Sequence, residues 1–198
     1  MLARKSVHLA CSTPSSAGVF VESIDAGVAS GRNASTEGDV SITNVLVDGI
    51  AYLSTNTAGV FASEGIPEAE AGKLAAGEWL SIGPGQSYGH VYLDYANAIE
   101  GMTVADQTEF LRLTGPLKRT AATWAQGVSV YGVTGDAPSS FGKGATESVY
   151  IAATGAPLPV SVTRHSSNGT RTCDYSGWDE SLNLTAPANV VPITAIPK

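Results

Sequence analysis

The chain has 198 residues, 43% apolar and only 15% charged, with eighteen acids against eleven bases for a net charge of -7. That is enough apolar content for one folded domain, and too little charge and too much glycine (22 residues) for a coiled coil or a disordered chain. The acid excess also argues against a generic nucleic-acid binder, which needs cations to meet phosphates.

The start, Met1-Leu-Ala-Arg-Lys-Ser-Val-His-Leu-Ala-Cys11, carries a basic pair followed by a cysteine. It lacks the roughly 7–15-residue apolar stretch of an export signal, so it reads as mature sequence. Val7, Leu9 and Cys11 alternate with polar neighbours, which predicts a first strand, and Pro14-Ser-Ser-Ala-Gly18 predicts a turn. Val19, Val21 and Ile24 extend into a second strand. Gly27 to Gly38, small and polar, reads as a loop. Val40 to Val47 and Ile50 to Leu53 flank Asp48-Gly49, the strongest short hairpin signal, because a type I′ turn needs positive φ at both central residues.

The middle changes character. Pro67 to Ala76 places Pro and acids early and Lys73 late, which predicts a short helix ending at Gly77. Glu78 to Ile82 reverts to a strand. Tyr88 to Ile99 has helical spacing, and Thr103 with Asp106 marks the start of a further helix. From Leu117 the chain is strand-like again: 117–124, 128–133, 147–153, 158–164, 170–175 and a last strand at 178–184, before a proline-bounded tail, 187–197. The whole predicts an α+β fold, an antiparallel sheet of about ten or eleven strands with two or three helices inserted in its middle. A sheet of that size curls, and helices across it leave a concave space.

Chemistry-bearing motifs are sparse. His8, His90 and His165 lie on separate segments, with no metalloprotease, nucleophile-elbow or phosphate-loop signature. Two cysteines, Cys11 and Cys173, cannot hold a metal alone; they either pair or remain buried thiols. No catalytic residue, metal or cofactor is indicated. Three Asn-x-Ser/Thr sequons begin at Asn33, Asn168 and Asn183, and a chain this rich in Ser and Thr produces such triplets by chance. Trp79, Trp124 and Trp178 stand at strand edges, suited to core packing or to the wall of an apolar pocket. Eleven of the acids fall between Glu22 and Glu100, against two bases there, Arg32 and Lys73.

Three stretches carry a resemblance: Val45-Leu-Val-Asp-Gly-Ile-Ala-Tyr-Leu53 followed by Gly77-Glu-Trp-Leu-Ser-Ile82; Gly127-Val-Ser-Val-Tyr-Gly-Val133 leading to 149–160; and Tyr175-Ser-Gly-Trp-Asp-Glu-Ser-Leu-Asn-Leu-Thr-Ala-Pro187. Together the chain resembles the LolA-like half-barrel lipoproteins of actinobacteria, which carry lipids and glycolipids in the envelope. The resemblance implies a strongly curved half-barrel sheet with helices over its concave face, spanning residues 1–198 as one domain. It implies export to the cell envelope, membrane association through an N-terminal lipid anchor in the full-length form, and a lipid or acylated small molecule as partner. The first strand begins near Lys5, so the family's N-terminal helix is expected to be missing. The expected ligand-lining residues are Tyr92, Tyr95, Ile99, Phe110, Leu111 and Leu113 from the helical middle, and Val45, Val47, Tyr150 and Val160 from one sheet face. The alternative is a structural or sensory envelope module with a filled core that docks a protein partner through its acidic surface.

Overall fold

The computed structural model describes residues 4–88, 93–167 and 169–197. Five strands come first: β1 (Ser6–Ser15), β2 (Gly18–Gly27), β3 (Gly31–Glu37), β4 (Val40–Val47) and β5 (Ile50–Thr55). Helices α1 (Ala58–Ser63) and α2 (Glu68–Ala75), strand β6 (Trp79–Ile82), the two-residue strands β7 (Ser87–Tyr88) and β8 (Leu93–Asp94), and helices α3 (Tyr95–Ile99) and α4 (Val104–Phe110) follow. Strands β9 (Thr114–Ala125), β10 (Val128–Asp136), β11 (Thr146–Ala152), β12 (Pro159–Ser166) and β13 (Gly169–Ser176) complete the second half, and β14 (Val190–Pro192) closes the chain.

One twelve-stranded sheet runs in the order β14-β6-β5-β4-β3-β2-β1-β13-β12-β11-β10-β9, curved and unclosed, with β7 and β8 paired separately. Every neighbour is antiparallel except β14 on β6. Two meanders of local hairpins therefore meet at one long-range seam, β1 against β13. The turns explain the hairpins. Asp48 and Gly49 both hold positive φ, as do Gln126 and Gly127 between β9 and β10, which is the turn whose twist matches the flanking strands.

The structure corrects three sequence expectations. The supposed loop at 27–38 contains β3, whose Arg32, Asn33 and Ser35 have weak strand propensity; pairing on both sides outweighs it. The helix expected from Tyr88 to Ile99 shrinks to α3, because Asp94 caps it, accepting from the Asn97 N–H at 2.8 Å. Here Val91 and Tyr92 lie outside the described residues, as does His90. The strand expected at 178–184 does not form, and the tail instead supplies β14, with the Trp79 N–H donating to the Asn189 carbonyl at 2.9 Å. The expected capping of α4 is present in full: Thr103 Oγ1 accepts from the Asp106 N–H and Asp106 Oδ2 from the Thr103 N–H, each at 3.2 Å.

The helices cover one face only. Phe61, Leu74 and Ala98 pack on Ala51, Leu53, Leu80 and Ile82 as one apolar cluster, which Ile193 and Ile196 join. A second cluster gathers Val7, Leu9, Ile24, Val149, Val162 and Tyr175 with Val104 of α4. Between them the α3–α4 connection presses onto the sheet at Gly31, where an added Cβ would collide with the Met102 carbonyl oxygen. On the other face the segment after β13 crosses from β1 toward β6. It is tied down where the Asp179 N–H donates to the Ser6 carbonyl at 3.0 Å and the Asp179 carboxylate accepts from the Lys5 N–H at 2.8 Å.

At the seam Cys11 and Cys173 are register partners and form a disulfide across 162 residues of sequence. On a chain-entropy model such a loop restricts the unfolded state by about 5 kcal/mol. The double variant Cys11→Ala/Cys173→Ala is expected to lose about 2–5 kcal/mol in a urea unfolding experiment. Gly31→Ala is expected to lose about 1–3 kcal/mol by the same measurement, because the α3–α4 connection must be pushed off the sheet.

Candidate ligand-binding site

Directly paired residues of an antiparallel sheet share a face. On the helix-covered face one row of partners reads Leu53, Asn44, Asn33, Ile24, Leu9 and Tyr175 across β5, β4, β3, β2, β1 and β13. The adjacent rows bring Glu22 beside Cys11, Arg171 beside Arg164, and Arg164 beside Glu147. The centre of the concave face is thus polar and charged, with an apolar cluster on each side.

These charges are paired. Glu22 accepts from Asn33 Nδ2 at 2.7 Å and from the Arg171 guanidinium. Arg164 donates through Nε to Glu147 Oε2 at 2.6 Å, and its guanidinium lies over the Phe141 ring, 3.2 Å from the centroid. Glu147 is fully buried. Burial pushes its carboxyl above the ordinary range while Arg164 pulls it back; burial likewise lowers Arg164, against the pull of Glu147. Burial raises the Tyr175 phenol strongly, so it stays neutral. A cavity of about 300 Å³ opens over this floor, walled by Glu22, Asn33, Asn44, Gln107, Phe110 and Arg171 among others.

The larger apolar space is elsewhere, at the end of the sheet. A pocket of about 650 Å³ lies between α4 and the β11–β12 connection, lined by Val28, Val104, Leu111, Leu158, Pro159 and Trp178, with Arg4 and Glu109 also in its wall. Trp178 is held by its indole N–H, which donates to the Pro159 carbonyl at 3.1 Å, and by stacking on Tyr175 with centroids 6.1 Å apart. Such a pocket buries methylene groups and offers the indole and a few charges where it meets water.

The expected lining residues divide among these places. Leu111 lines the apolar pocket and Phe110 the polar cavity. Leu113 packs against the second apolar cluster, and Tyr95 and Ile99 against the first. Tyr92 lies outside the described residues. Val45 and Val47 fall on the face away from the helices, because Leu46, not its neighbours, pairs with Ala51 and Gly31. Tyr150 shares that outer face, over Gly132. Val160 is buried at a bulge between β11 and β12, next to the pocket residue Pro159. The uniform run Val45-Leu46-Val47 gives no alternation from which to choose a face.

Sequence reasoning passed over Val104, Leu158 and Pro159 of the apolar pocket and the polar set Glu22, Asn33, Asn44, Gln107 and Arg171. One signal was available: Ile42, Asn44 and Leu46 share a parity, so Asn44 sits among inward-facing apolar residues. Among the described residues no group of His, Cys, Asp or Glu could hold a metal ion. His8 Nδ1 meets Asp25 Oδ1 at 2.7 Å on the outer face, and His165 Nδ1 meets Thr170 Oγ1 at 2.9 Å.

Arg164→Met leaves the Glu147 carboxylate buried without its partner and is expected to cost about 3–5 kcal/mol at neutral pH. Glu147 has a folded-state pKa above its unfolded value, so its protonated form is the one folding favours. The loss is therefore largest above that raised pKa and shrinks as the pH falls through it, which urea unfolding at several pH values checks.

No protein-family model and no curated protein matches the chain. Solved structures do. The lipoprotein LppX of Mycobacterium tuberculosis aligns over 92% of this chain and 91% of its own, with a TM-score of 0.54 and 15% identity. LprF from Mycobacterium bovis aligns over 94% and 90%, with a TM-score of 0.54 and 14% identity. The chain has the LolA-like half-barrel fold of these mycobacterial proteins.

Proposed function

We propose that this protein is a non-enzymatic component of the cell envelope that binds a lipid or other acylated molecule, with the acyl part in the pocket between α4 and the β11–β12 connection. The observation that carries the reading is that pocket: about 650 Å³ with Leu111, Leu158, Val104 and Trp178 in its wall. Each methylene moved from water into it contributes about 0.8 kcal/mol, so an acyl chain binds there without specific polar contacts. Arg4 and Glu109 in the same wall supply charges for a polar end. The Cys11–Cys173 disulfide suits the oxidising conditions outside the cytoplasm. The likeness in fold to a lipoprotein agrees with this reading, and the acyl pocket rests on this chain's own residues.

A fluorescent fatty-acid probe tests it. The protein is expected to take up the probe saturably and to yield bound lipid on extraction and mass spectrometry. Leu111→Arg, which places a charge in the apolar wall, is expected to weaken probe binding by about tenfold or more, a cost of about 1.4 kcal/mol. No uptake by the parent protein, together with no extracted lipid, would refute the reading.

A further inference from the structure

The β9–β10 hairpin forms one end of the sheet, and among the described residues no strand pairs with the outer edge of β9. We infer that this hairpin is a docking surface for an anionic lipid bilayer, which sets the mouth of the apolar pocket toward the membrane. The inference goes beyond the acyl reading and does not rest on it, since the hairpin's exposure and charge stand without any ligand in the pocket.

The hairpin carries large apolar side chains that nothing in the chain covers. Every residue of β9 from Thr114 to Trp124 is exposed. Trp124 is 75% exposed and Leu117 58%, and Val128 and Tyr131 of β10 are exposed as well. Indole and phenol rings suit the boundary between headgroups and acyl chains, where one end of the ring is wet and the other is not. Charge points to the same partner. The chain carries a net charge of -7, yet Arg112, Lys118 and Arg119 are the only charged residues between Glu109 and Asp136. Arg112 pairs with Glu109, whereas Lys118 and Arg119 make no ion pair among the described residues. Successive residues on β9, they fall on its two faces, beside Thr134 and Val133, and the Arg119 guanidinium lies over the Tyr131 ring, 4.2 Å from its centroid. The hairpin is thus a cationic end on an acidic protein, so an anionic surface attracts this end and repels the rest.

The hairpin is also placed to serve the pocket. Pro159 of the pocket wall pairs with Ile151, and Ile151 with Tyr131, so one row on the helix-covered face runs from the pocket to the edge of the sheet. Ala122 ends that row, and Trp124 follows two residues along β9 on the same side. Val28, which lines the pocket, is itself 70% exposed. Gln126 at the hairpin tip donates through Nε2 to Asp174 Oδ2 of β13 at 2.6 Å, which holds the hairpin against the sheet. A protein strand is a poorer occupant of this edge. Pro116 has no N–H to donate, and β9 departs from regular register with β10 at two places, both features that discourage edge pairing. A second copy paired through the same edge would set like charge against like charge.

The test is flotation of the full chain with vesicles of phosphatidylcholine alone and of phosphatidylcholine with phosphatidylglycerol, at low and physiological salt and without fatty acid. Binding to the anionic vesicles is expected, about tenfold or more tighter than to the neutral ones and weakened by salt. The double variant Lys118→Glu/Arg119→Glu and the single variant Trp124→Ser are each expected to weaken it about tenfold or more, while uptake of the fluorescent fatty-acid probe from solution stays unchanged. All three side chains are exposed, so both variants keep the fold. With Trp124 as the sole tryptophan, a brominated phospholipid in the anionic vesicles is expected to quench its emission. The inference is overturned if the parent protein does not float with anionic vesicles, if it binds neutral ones equally well, or if both variants bind as the parent does. It is also overturned if sedimentation shows a dimer that the same variants dissociate, which would make this edge a contact between copies. Because no fatty acid is present, failure of vesicle binding leaves the acyl pocket standing, and failure of probe uptake leaves the docking surface standing.

Discussion

The pairing of β1 with β13 is the contact on which the rest of the molecule depends. Every other antiparallel neighbour in the sheet lies nearby in sequence, so each half can assemble from local hairpins. The seam alone joins residues from the two ends of the chain, and it closes a loop of 162 residues. Its entropic cost is correspondingly high, and non-local strand pairing of this kind is slow to form. The disulfide between register partners holds the seam once made. Without the seam the second apolar cluster, which joins Val7, Leu9 and Ile24 to Val149, Val162 and Tyr175, would be split between two sheets, and Glu22 of β2 could not reach Arg171 of β13.

The seam also fixes where polarity falls. The two clusters flank a strip in which Glu22, Arg171, Arg164 and Glu147 neutralise one another. Buried ion pairs offer little net stability compared with apolar residues of the same size, but removing one partner is costly. A fold that needed only stability would have filled this strip with aliphatic side chains. The strip instead forms the floor of a polar, amide-lined cavity over the sheet, while the apolar pocket lies apart from it at the end of the sheet beside α4. The α3–α4 connection, pressed onto Gly31, positions both, since Gln107 and Phe110 face one space while Val104 and Leu111 face the other.

Much of the architecture was legible in the sequence because its signals are local. Asp48-Gly49 and Gln126-Gly127 announce hairpins, and Thr103 with Asp106 announces a capped helix. β3 was hidden because its residues are small and polar and it is a strand by virtue of its neighbours. The helix-covered face of β4 was hidden because Val45, Leu46 and Val47 are equally apolar, and only the partners Gly31 and Ala51 decide the parity. The pocket was half legible: Leu111 follows from the helical patch and Trp178 was among the tryptophans suited to such a wall, whereas Leu158 and Pro159 sit just before β12 and at its start, where only tertiary packing sets their place. Asn44 apart, the polar floor depends on pairings between distant strands, such as Arg164 with Glu147 and Glu22 with Arg171, which no spacing within one segment reveals.

The three tryptophans report on the central claim directly, because they stand in different parts of the molecule. Trp178 lines the apolar pocket, Trp79 lies in β6 near the opposite edge of the sheet, and Trp124 is exposed at the tip of the β9–β10 hairpin. Single-tryptophan variants titrated with a brominated fatty acid read out the position of the bound chain by quenching. The account predicts saturable quenching of Trp178 and none of Trp79. Quenching of Trp79 in place of Trp178, or of neither, would contradict it.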